Sequence, residues 1–214
     1  WESRSEEGRK VKALKQLFPS KVAVFTLDEE SSRRRQVKTD FVVRIGYDEI
    51  EPEDIGLLRQ TLNLTEASVQ AVYQLHREFG YKRWIEAALD LPEGDETRQL
   101  LSKLSIHEST YRNLRRGLET LRRLPFLLPH APDNPVRRIL EYLDQGINVV
   151  LEFGRYTDIT AYILVANLLT RRIHAQYRER MEKVIGEDTA PPHPLVITIE
   201  EAHRFLNPEL ALSL

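Results

Sequence analysis

INVVLEF (147–153), TAYILVANLL (160–169) and LVITIEE (195–201) are the stretches on which the fold turns. INVVLEF and LVITI are runs of strand length rich in β-branched residues, as buried strands are. Between them, Thr157 or Asp158 offers an N-cap for a helix reaching about Val184. Its first half is apolar on most faces and is expected deep in the molecule, whereas RRIHAQYRERMEK (171–183) is polar and reaches solvent. Pro191, Pro192 and Pro194 then break the chain before LVITI. Strand, long helix, strand is the crossover unit of a parallel sheet, so the fold class is α/β.

Working outward, KVAVFTL (21–27) has the composition of another buried strand, and FVVRI (41–45) alternates as a half-buried strand does. The polar stretch 28–38, with Arg33, Arg34 and Arg35, reads as an exposed loop. Val11, Leu14, Leu17 and Phe18 recur at helical spacing ahead of Pro19. From about residue 50 to 125 the pattern is wholly helical. Thr65 caps a stripe of Val69, Val72, Tyr73, His76 and Phe79 that Gly80 closes, with His76 read as a satisfied core histidine. Tyr111, Leu114, Leu118 and Leu121 form a seam for a neighbouring helix, and arginines fill the rest of that helix. Asn134-Pro135 opens a further helix that ends at Gly146. The expected division is 1–48 as the first part of an α/β core, 49–130 as a helical insertion and 131–214 as the second part.

The 214 residues carry 31 Lys+Arg against 33 Asp+Glu, a net charge of −2, which excludes a uniformly basic nucleic-acid binder but not a local basic track. There is no cysteine, so disulfides, thiolate metal sites and thiol nucleophiles are excluded, and a reducing, cytoplasmic address is permitted. No signal peptide is visible, and the longest apolar run, 161–166, is far short of the ~20 residues that span a bilayer. The sequence starts at Trp1 and stops at Leu214 just after what reads as a helix start, so it is expected to be an internal piece of a longer chain.

The candidate chemistry sits at Glu200 and Glu201. An apolar β run ending in two acids is the Walker B arrangement of P-loop nucleotide hydrolases: the strand holds the acids at the carboxyl edge of a parallel sheet, where ligands bind. The first acid then serves the magnesium shell, and the second orients and deprotonates the water that attacks the γ-phosphate. Two other readings stand beside it. The acids are equally at home in a solvated strand-to-helix turn. Glu200 with His203 has the Glu-x-x-His spacing of a di-iron bundle, although that architecture needs the pair twice and on helices.

LVITIEEAHRFLNP resembles the Walker B segment of HerA-type ATPases in the FtsK–HerA group of DNA translocases. INVVLEFGRY with TAYILVANLLTRRIH is similar to the strand and helix that precede it there, and VAVFTLDEES and LRRLPFL resemble the middle of such proteins. The resemblance implies a partial RecA-like P-loop NTPase core, a parallel sheet with flanking helices, carrying an all-helical insertion. It implies ATP and Mg²⁺ as cofactors, Glu200 in the metal role and Glu201 as the catalytic residue. Glu152, Arg155, His203 and Arg204 become candidates for a supporting shell. It further implies a homohexameric ring acting on DNA in end processing or repair, a NurA-type nuclease as partner and no membrane.

One departure is plain. No G-x-x-x-x-G-K-[ST] occurs, so this chain holds no P-loop residues. Walker A is expected before Trp1 and the arginine finger after Leu214, and the piece alone is expected to be inactive. Two alternatives stay open: a non-catalytic interaction module with a degenerate nucleotide fold, or a HerA-like motor of a defence system.

Overall fold

The computed structural model describes residues 14–187 and 193–200. Its elements in chain order are α1 (Leu14–Leu17), β1 (Val22–Thr26), α2 (Glu29–Arg34), β2 (Phe41–Val42), β3 (Ile45–Gly46), a 3-10 turn (Tyr47–Glu49), α3 (Pro52–Leu57), α4 (Glu66–Phe79), α5 (Trp84–Asp90), α6 (Asp95–Lys103), α7 (Glu108–Arg122), β4 (Leu127–Leu128), α8 (Pro135–Asp144), β5 (Asn148–Glu152) and α9 (Ile159–Glu187). The class is α/β, with a small parallel sheet flanked by helices.

The sheet runs β2-β1-β5, every pairing parallel. β1 lies in the middle and is buried at all five positions, as its unbroken apolar run demands. β5 lies alongside it in register from Val22↔Asn148 to Thr26↔Glu152. Among the described residues, the other edge of β5 has no strand partner. α9 follows as expected: Asp158 caps it through Thr160 N–H (2.8 Å), and Ala161, Leu164, Val165 and Leu168 are buried.

A second parallel pair, β3 with β4, aligns Ile45 with Leu127 and Gly46 with Leu128. These strands bracket the helices α3 to α7. Thr65 caps α4 by accepting from Ser68 N–H, and Gly80 closes it at φ +80°. Tyr111, Leu114, Leu118 and Leu121 of α7 are all buried. One continuous apolar cluster runs from Ala23 to Ile173 through both the sheet and these helices. Arg171 and Arg172 of α9 tie the two regions: Arg171 meets Asp54 at 2.6 Å and Arg172 meets Glu49 at 3.0 Å.

Several expectations are corrected. Residues 28–38 are not simply a loop: Asp28 accepts from Ser31 N–H and caps α2, burying Ser31 and Ser32. FVVRI is no single strand, since β2 and β3 are separate two-residue pieces pairing with different partners. Tyr73 of α4 faces solvent and Leu75 takes its place in the core. His76 is half-buried between Tyr81 and Trp84, and its Nε2 has no partner among the described residues. The run 195–199 forms no strand here, and Val196 is 82% exposed and Ile199 45%. An apolar run needs a sheet neighbour on each side to be buried as a central strand, and among the described residues none pairs with this one.

Candidate functional site

Ligands of open parallel sheets bind beyond the carboxyl ends of the strands. Here that edge is formed by the ends of β1 and β5 and by the first turn of α2. β1 delivers Thr26, whose hydroxyl accepts from Ser32 Oγ at 2.9 Å and from Asp28 N–H at 3.1 Å. Leu27 N–H reaches Glu152 C=O and prolongs the pairing by one rung.

Asp28 is the centre of this edge. Its Oδ1 accepts from Ser31 N–H (3.0 Å) and its Oδ2 from the main-chain N–H (3.1 Å) and Nε (2.8 Å) of Arg155. The Arg155 guanidinium bonded to it, aided by these amides, outweighs burial and lowers the carboxyl from 3.8 to about 2. Arg155 continues to Glu30 at 3.0 Å. On the other flank Arg35 meets Glu152 at 2.9 Å.

Gly154 makes the approach possible. It sits at φ +65°, and a Cβ there would lie 2.4 Å from the Cβ of Asp28. Only glycine lets the chain leaving β5 fold back over the buried aspartate.

Of the candidate residues, Glu152 and Arg155 are brought to one edge, held by the two caps of α2: Arg35 at its C-cap meets Glu152, and Asp28 at its N-cap meets Arg155. Glu200 is exposed, in a turn after the extended run. Glu201, His203 and Arg204 lie outside the described residues. Asp28, Ser32 and Arg35 were missed. Their signal was available: VAVFTL closes on Asp28, Glu29 and Glu30 much as LVITI closes on Glu200 and Glu201.

Asp28 is saturated with protein donors, so this edge is a clamp rather than a cation site. Among the described residues no group of three or more His, Asp or Glu is arranged to hold a metal. Glu200, an exposed carboxylate beside a second acid in the sequence, has the hard oxygen chemistry that magnesium takes. A cleft of about 270 Å³ opens at the other end of β5, between Leu143, Ile147, Asn148, Tyr177, His193 and Leu195. It lies opposite the edge where such sheets bind ligands, and no ligand is assigned to it.

Among the described residues no helix is long and apolar enough to cross a membrane. No curated protein and no solved structure matches the chain. The family model described as Helicase HerA, central domain, matches residues 7–173, well over half of the 214, and ends before LVITIEE. With its α/β architecture, the chain therefore belongs to the HerA helicase central-domain family, an ATPase and translocase family of the P-loop NTPase class.

Proposed function

We propose that the chain is the middle of an ATP-driven DNA translocase of HerA type, in which 195–199 completes the sheet as a fourth parallel strand on β5. The observation that carries this reading is the open edge of β5. Val150 of that strand is 38% exposed, and the run 195–199, apolar but for Thr198 and exposed from Val196 onward, is equal in length to β5 and pairs with no strand among the described residues. Tyr177 donates its hydroxyl to His193 C=O, and Leu195 lines the cleft with Ile147 and Asn148. The run thus starts at the amino end of β5, as a parallel neighbour must. Pairing Leu195 with Asn148 would bring Ile199 beside Glu152 and Glu200 beside Phe153.

In that arrangement Glu200 serves the magnesium ion and Glu201 the attacking water, with Glu152 and Arg155 supporting the same edge. His203 and Arg204 belong to the same reading as supporting residues. The β3–β4 pair supports treating 49–130 as an insertion between 1–48 and 131–214, because it draws the two ends of the helical region together. A hexameric ring, a NurA-type nuclease partner and a part in DNA end processing belong to the same reading.

The test uses the full-length protein with Glu201→Gln. ATP binding is expected to persist while turnover falls by at least ~10²-fold, as loss of an essential proton acceptor does. Hydrolysis at the unaltered rate would remove the assignment.

A further inference from the structure

We propose that the outward face of α7 is a docking rail for a nucleic-acid phosphodiester backbone, with Arg112, Arg116 and Arg123 as its phosphate contacts. α7 buries Tyr111, Leu114, Gly117, Leu118 and Leu121. At about 100° per residue, Arg112, Arg116 and Arg123 fall within about 40° of one another and point away from that buried side. Arg123, the C-cap, keeps right-handed helical angles and extends the row. All three are exposed.

The row differs from the arginines that tie the fold together. Arg35, Arg155, Arg171 and Arg172 each face a carboxylate. Arg112, Arg116 and Arg123 take part in no ion pair among the described residues. Two acids share this face, and both are engaged outside the row: Glu119, between Arg116 and Arg123, meets Arg122 at 3.7 Å, and Glu108, one turn before Arg112, meets Arg98 at 3.4 Å. At 1.5 Å per residue the three cations are spaced about 6 and 10 Å along the axis, a straight track of roughly 16 Å.

The rail is rigid. Asn113 accepts from Thr65 N–H (3.0 Å) and Ser68 Oγ (2.7 Å) and donates to Asn63 C=O (3.0 Å). Gly117 admits Leu64 so closely that a Cβ would sit 2.7 Å from its Cδ2. The exposed face also carries no large apolar side chain. A protein partner needs buried anchors and a membrane needs an apolar face, whereas a phosphate backbone is held by cations alone. The biological sense of the rail rests on the DNA-motor reading, but its charge geometry does not.

The experiment measures binding of a fluorescein-labelled 30-base-pair duplex to the full-length protein by anisotropy across a KCl series. Wild type is compared with Arg112→Gln/Arg116→Gln/Arg123→Gln, with the matching triple lysine variant and with Arg138→Gln on α8 as a control. The triple glutamine variant should bind at least roughly tenfold more weakly at 0.1 M KCl, with a log–log salt slope smaller by about 2 to 3. The lysine variant and the control should retain binding, and thermal melting of all variants should match wild type. Duplex affinity and salt slope unchanged in the glutamine variant would overturn the proposal. So would wild-type binding to poly-glutamate or to anionic vesicles that exceeds binding to DNA at the same salt. DNA-free ATP turnover, measured in parallel, isolates the motor reading: its absence from wild type defeats that reading and leaves the rail standing if the duplex results hold.

Discussion

Gly154 lies so close to Asp28 that the two residues, 126 positions apart, leave no room for a methyl group between them. The turn after β5 and the cap of α2 are therefore one packed unit, and the carboxyl edge of the sheet is rigid where the chain reverses.

Gly154→Ala should cost roughly 2 to 4 kcal/mol, combining the left-handed backbone penalty with displacement of Asp28. Urea denaturation reads it as a lower midpoint at unchanged slope. A midpoint equal to that of wild type would mean that the turn yields freely and the clamp is loose.

The clamp is also acid-sensitive. Asp28 titrates near 3.8 when unfolded and at about 2 when folded. A depressed folded value contributes stability above the unfolded value, and this contribution is lost as pH falls from about 4 through about 2. It amounts to something on the order of 2 kcal/mol. Asp28→Asn should lower stability at pH 7 and flatten the acid limb of the stability profile. Equally steep profiles for both proteins between pH 4 and 2 would count against the assignment.

The tie between α9 and α3 should behave differently. Asp54 is buried, and burial raises its carboxyl despite Arg171 beside it. Arg171→Ala leaves that carboxylate without its cation and should cost about 2 to 3 kcal/mol at pH 7. Asp54→Asn in the same chain should restore part of the loss, giving a coupling above about 1 kcal/mol in a double-mutant cycle. Because the folded carboxyl is raised, the Arg171→Ala protein should regain stability as pH falls from the raised folded value toward the unfolded one. Strict additivity of the two substitutions would show that the pair does not interact.

The open edge of β5 makes a prediction at the level of single amides. Asn148 N–H and Glu152 C=O turn toward β1, so the alternation of a strand leaves Val149 and Leu151 N–H on the free side. If 195–199 joins the sheet in the full-length protein, both amides should exchange at least ~10²-fold more slowly there than in a chain ending before Leu195. Equal exchange in the two would argue against the fourth strand.

Much of the architecture was legible because it is written locally. The crossover from INVVLEF into α9 rests on run length and one cap, and the caps at Thr65 and Asn134 are chemical facts of single side chains. Glu152 and Arg155 were legible as strand-end residues for the same reason. Their partners were not. The bond between Arg155 and Asp28 spans 127 positions, and no periodicity in either segment announces it. The basic look of 28–38 concealed a short helix whose serines are buried, since composition averages over a face that packs and a face that does not. LVITI shows the converse limit: an apolar run states a need for neighbours and does not supply them.

β3 and β4 stand side by side, with Gly46 opposite Leu128 and only the helical region between them in sequence. Its two ends are thus about 5 Å apart, one strand spacing. A segment so closed at its base can lengthen, shrink or be exchanged for another without rethreading the sheet beneath it. The hinge of such a graft is already in place, and Arg171 with Asp54 is the seam that any replacement must remake.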